Sequence, residues 1–83
     1  AAEAAVKAAE DAEKAAEAKL ADIKADGVVS QEEADALTAL NDDVTAKKAA
    51  AQQEVNNLPD GDVRNGFNGR LGDVDTVTVP PVT

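Results

Sequence analysis

Asp22-Ile23-Lys24-Ala25-Asp26-Gly27-Val28-Val29-Ser30-Gln31-Glu32-Glu33 closes one long helical pattern and opens another within a few residues, and its reading decides the fold. Gly27 falls one position past the last helical residue, where a left-handed backbone is easily adopted only without a Cβ. That placement puts Ile23 and Val28 at the two positions whose side chains meet across such a stop. Lys24 complements the negative pole of the ending helix. Ser30 suits an N-cap, and Glu33, three residues on, can reach back to the Ser30 backbone N–H to complete a capping box, with Val29 and Ala34 at the positions of a hydrophobic staple. A stop, a start and two apolar clasps in one short segment predict the bend of a helical hairpin.

The same twelve residues match part of a calcium loop. Asp22, Asp26, Gly27, Ser30 and Glu33 align with its first, fifth, sixth, ninth and twelfth positions, and Val29 with the apolar eighth. Lys24, however, brings an ammonium where an oxygen ligand belongs, and no second loop pairs with this one. Capping explains Gly27, Ser30 and Glu33 without an ion, so no metal ligand is assigned. A calcium-stiffened turn from Asp22 to Glu33 stays as an alternative reading.

On either side of the bend the pattern is helical. Before it, Ala2, Ala5, Ala9, Ala12, Ala16, Leu20 and Ile23 recur at steps of three and four, while Glu3-Lys7 and Glu10-Lys14 form favourable i, i+4 pairs on the opposite face. After it, Leu37, Leu40, Val44, Ala51, Val55 and Leu58 continue at matching steps, interrupted by Lys47 and Lys48. Each helix of about 25 residues spans about 38 Å. An antiparallel hairpin about Val28 brings Lys47 near Glu10 and Glu13, where a rim salt bridge is expected. A stripe made largely of methyl groups allows close approach but buries little area, so modest stability is expected.

Asn56-Asn57-Leu58-Pro59-Asp60-Gly61 ends the second helix, with Pro59 barring continuation and Asp60 available as an N-cap. Val63, Phe67, Leu71 and Val74 then fall at helical spacing and predict a third, shorter helix from Asp60 to Asp73, with Asn65-Gly66 as a hairpin turn in the competing reading. Phe67, the one aromatic residue, is expected to be a buried keystone between alanine-faced helices. From Thr76 to Thr83 alternating Val and Thr give way to Pro80-Pro81, which reads as an extended linker. The expected architecture is all-α: an antiparallel three-helix bundle over residues 1–75, with a Thr/Val/Pro linker over 76–83 leading to the next repeat. Three antiparallel helices place the two termini at opposite ends.

Composition narrows function. The chain has 83 residues, a net charge of −9, no histidine and no cysteine. Disulfides and thiolate sites are excluded, and the commonest general base is missing. So acidic a chain is repelled by phosphate backbones and anionic membranes, which argues against nucleic-acid partners and membrane insertion. Asp42 with Asp43 and Glu32 with Glu33 read as solvated acids, and the glycines fit no phosphate loop. The chain is therefore expected to be a non-enzyme without catalytic residues or a cofactor, and a monomer. The helix-forming start and the Pro-rich finish suggest a segment cut from a longer chain.

The succession of an Ala-rich helix, Ala25-Asp26-Gly27-Val28-Val29-Ser30-Gln31-Glu32-Glu33, an Ala/Lys-rich second helix, Leu58-Pro59-Asp60-Gly61-Asp62-Val63-Arg64 and Val77-Thr78-Val79-Pro80 resembles the GA-like repeats of large bacterial surface adhesins, including biofilm-associated proteins. The resemblance implies a three-helix bundle repeated in tandem, secreted to the bacterial cell surface and serving adhesion or biofilm formation as a spacer or stalk. Its partners would be neighbouring repeats in the same chain. The alternative it implies is a protein-binding module that recognises albumin or another host or surface protein through the second and third helices. The chain differs from albumin-binding GA modules in helix length, alanine content and third-helix glycines, so no individual binding residue carries over.

Overall fold

The computed structural model describes residues 1–83 and contains three helices and no strands: α1 (Ala2–Asp26), α2 (Gln31–Asn56) and α3 (Asp62–Gly72). The bend forms as its chemistry requires. Gly27 adopts φ 74° and ψ −1°, and its N–H donates to the Lys24 carbonyl at 3.3 Å. Ser30 Oγ accepts from the Glu33 N–H at 3.1 Å, and Glu33 Oε1 accepts from the Ser30 N–H at 3.1 Å, so the capping box is complete. Val29 and Ala34 are both buried in the core. Of the pair expected to clasp the stop, Ile23 is fully buried while Val28 is 58% exposed. The chain turns from Gly27 straight into the Val29 staple, which leaves Val28 on the outside.

Packing between α1 and α2 dominates the bundle. The stripe on α1 is Ala2, Val6, Ala9, Ala12, Ala16 and Ile23, with Ala5 and Leu20 half-buried beside it. Val6, not Ala5, thus belongs to the buried stripe, four residues after Ala2 and three before Ala9, and is fully buried. The larger fully buried side chains are Val6 and Ile23 from α1, Leu37, Val44 and Val55 from α2, Leu71 from α3, and Val74. Each contributes about 1.5–3 kcal/mol relative to exposure, and the alanines between them let the backbones approach. Mid-helix hydroxyls are satisfied locally: Thr38 Oγ1 donates to the Ala34 carbonyl and Thr45 Oγ1 to the Asn41 carbonyl.

The third wall is built in two parts. α3 begins two residues later than expected, at Asp62, because the Asp60 carboxylate pairs with Arg64 instead of capping; Gly61 holds the N-cap position without a side-chain bond. Beyond α3, residues 74–83 carry neither helix nor strand and run along the bundle toward the bend. The cross-links show the path. Asn68 accepts from Gln52, the Val74 carbonyl from Lys48, Val77 exchanges two bonds with the Asn41 amide, and Thr83 bonds to Val29. Partner numbers on α2 fall as those on the tail rise, so the tail is antiparallel to α2 and parallel to α1.

Nine extended steps from Val74 to Thr83, at about 3.2 Å each, cover about 29 Å. The α2 side from Lys48 back to Val29 covers about the same distance at 1.5 Å per residue. Ten residues of strap therefore finish a wall that an 11-residue helix begins. The molecule measures 48 × 17 × 16 Å, with Ala1 at one end and Thr83 beside Val29 at the other.

Phe67 is half-buried against the core, and the apolar side chain of α3 that is fully buried is Leu71, one helical turn further on. The buried keystone is thus Leu71, since burial on α3 is concentrated in its C-terminal turn and Val63 at its start is 68% exposed. Leu71→Ala is expected to cost about 2–5 kcal/mol in urea unfolding. A Cβ at Gly69, in the interior of α3, would meet no atom within 4 Å, so Gly69→Ala should raise stability by about 0.5–1 kcal/mol in the same measurement.

Candidate functional site

The helix bend does not assemble a cation site. α1 continues regularly through Asp22, Lys24 and Asp26, so Asp22 and Asp26, one turn apart, share a face that Lys24 does not, and the Glu33 carboxylate accepts from the Ser30 N–H. No group of acidic side chains in the structure is placed to hold a metal ion. The segment from Asp22 to Glu33 is a helix end and a helix start.

The charged cluster lies on α3 and α1. Arg70 Nε and Nη2 donate to the two carboxylate oxygens of Glu10 at 3.1 and 2.6 Å, and Nη1 donates to Glu3 Oε2 at 2.9 Å. The planar guanidinium suits this arrangement, since its fork meets one carboxylate side-on and leaves a further donor for the second. Its Cζ stands 5.6 Å from the centroid of the Phe67 ring, one turn earlier on α3, within cation–π range. The expected bridge from Lys47 to Glu10 and Glu13 is therefore replaced. Lys47 pairs with Asp43 on its own helix at 2.7 Å, Arg70 takes Glu10, and Glu13 accepts from the Asp75 backbone N–H at 2.7 Å. The reason is reach: α3 and the strap lie against this face of α1 and present closer donors. Arg70 escaped the reading of the sequence because nothing local marks it, although it is the one basic residue in the last turn of α3.

Beside the strap, Val44, Thr45, Lys48, Ala49, Gln52, Asp75 and Thr76 line an open groove of about 420 Å3. Its polar groups are partly occupied: Lys48 donates to the Val74 carbonyl at 2.7 Å, and Asp75 Oδ1 accepts from the Thr76 N–H at 2.8 Å. No nucleophile is paired with a base here, which leaves the groove a surface contour between α2 and the strap. Asp42 and Asp43 are not in it; Asp43 holds Lys47. No helix is long and apolar enough to cross a membrane.

Three helices with a capped glycine bend, their open side closed by a short α3 and the strap after it, set the comparison with known families. The chain matches the GA-like domain across residues 1–83. It belongs to the GA-like domain family. Neither the curated proteins nor the solved structures contain a match to it. GA-like domains are non-catalytic binding or structural modules typical of bacterial surface proteins. In this GA-like domain the polar cross-links between elements lie mainly on α3 and the strap.

Electrostatics make the Arg70 cluster sensitive to acid. Hydrogen bonds from Arg70 hold the Glu10 carboxyl below its ordinary value of 4.5, and the Ser30 backbone N–H does the same for Glu33. Arg70 is correspondingly raised by its bonds to Glu10 and Glu3, so it stays charged. Carboxyls with lowered folded-state values stabilise fully above about pH 4.5 and lose that contribution as pH falls through the folded values. Acidification also relieves repulsion among 17 acidic residues set against 8 basic ones, so the difference between two chains is the informative quantity. Glu10→Gln is expected to melt below the parent at pH 7, with the gap closing by about pH 3 in thermal unfolding followed by circular dichroism.

Proposed function

We propose that this GA-like domain is a non-catalytic spacer or stalk repeat of a secreted bacterial surface adhesin, supporting adhesion or biofilm formation at the cell surface. The observation that carries the reading is the placement of Ala1 and Thr83 at opposite ends of a rod 48 Å long and 16–17 Å wide. A chain that continues past Thr83 leaves at the helix bend, so successive copies advance by nearly a rod length each. Partners in this reading are neighbouring repeats, with each domain otherwise monomeric. The strong net negative charge of −9 supports it further, because like-charged rods repel side to side and stay separate.

A second reading, recognition of a host or surface protein such as albumin through α2 and α3, draws on the exposure of Val63 and the half-exposed ring of Phe67. The full burial of Leu71 limits that apolar area. The two readings separate in solution scattering from two copies linked directly. The stalk reading expects a maximum dimension close to twice the single-domain length of 48 Å. A compact, side-by-side pair would reject it.

A further inference from the structure

We infer that the domain resists tension between its two ends through a shear clamp that ties α1 directly to α3 and the strap; its use in the cell rests on the stalk reading, whereas its physics does not. Force applied at Ala1 and Thr83 enters at opposite ends of the rod. α1 carries it from one side, and the strap with α3 carries it from the other. These two segments run parallel and touch, so opposite pulls make them slide past one another along the rod axis.

The bonds that oppose such sliding are charge-assisted and grouped where load enters α1. Arg70 binds Glu3 at 2.9 Å and Glu10 at 3.1 and 2.6 Å, and Glu13 accepts from the Asp75 N–H at 2.7 Å. All four cross from α3 or the strap to the first half of α1. On the α2 side of the strap, Lys48 holds the Val74 carbonyl at 2.7 Å and Asn41 holds Val77 through bonds of 2.7 and 2.9 Å, and at the bend Val29 holds Thr83 through bonds of 3.0 and 2.9 Å. Pulled lengthwise, these ties bear load together. Peeled from the Thr83 end, they would break in succession.

Arg70 is the positioning residue of this clamp. One guanidinium spans two carboxylates seven residues apart on α1 and leans on the Phe67 ring, whereas an ammonium is a single point of attachment. At equilibrium such half-exposed pairs contribute little. Their effect is on the rate of forced unfolding, which depends on the barrier and not on the equilibrium difference.

The chain has no cysteine, so added ones give unique attachment points for force spectroscopy on the full domain. Cysteines placed before Ala1 and after Thr83 load it end to end. Val28→Cys, at the exposed bend position, combined with the cysteine after Thr83, peels the strap from one end. At equal loading rate, the end-to-end unfolding force is expected to exceed the peeling force by at least about twofold. Arg70→Lys should lower the end-to-end force and leave the first peeling rupture unchanged, with circular dichroism verifying its helices. Equal forces in the two geometries of the otherwise unaltered chain would overturn the clamp. So would an Arg70→Lys substitution that shifts both forces in proportion, or shifts neither. Failure of the stalk reading is registered separately, in the scattering of linked copies.

Discussion

Two helices that meet through alanine methyl groups pack closely but cannot enclose a core, and the whole chain beyond residue 57 answers to that constraint. Ala2, Ala9, Ala12, Ala16, Ala34 and Ala51 line the α1–α2 contact, so the pair is narrow and its open side exposes Val6, Leu37, Val44 and Val55 unless a third layer covers them. α3 is too short to do this alone. Leu71 and Val74 close the middle of the groove, and the strap, with Val77 and Val79 half-buried, closes the rest. Extended backbone is an economical cover because each residue advances about twice as far as a helical one.

The features legible in the sequence were the local ones. The Gly27 stop and the Ser30–Glu33 box are fixed by residues within a few positions of each other, and both formed as read. The two long stripes were visible from spacing, apart from Val6, which a run of alanines concealed. The start of α3 was displaced because Asp60 had two available partners, the helix N–H groups and Arg64, and an i, i+4 ion pair took it. The rest depended on long-range proximity. Arg70 meets Glu3 and Glu10 across 67 and 60 positions, and Asn41 treats Val77 as a peptide neighbour, donating and accepting like a strand partner. Neither pairing leaves a mark within a short window. The Thr76–Thr83 stretch was recognised as extended, yet whether it would project or fold back depended on those distant groups.

The same division explains why function was harder to read than fold. Family membership sets a coarse role, a non-catalytic module, and no enclosed polar site refines it. The chemistry that is present, one arginine fork, one amide clasp and a charged lysine on a carbonyl, joins segments of the domain to each other. Such groups act by resisting relative movement of the elements they connect. That is consistent with a part whose work is positional.

The strap also sets how much the domain tolerates change in length. A residue added at the exposed Pro59–Gly61 turn can bulge into solvent and leave both flanking helices in place. One residue added between Val74 and Val79 shifts the remainder of the strap by about 3.2 Å and reverses the faces of the side chains beyond it. Added before Val77, it would put Thr76 in the inward position of Val77, and the Asn41 amide would confront a different peptide. Among related sequences, insertions and deletions should therefore gather in the Pro59 turn and be rare between Val74 and Val79.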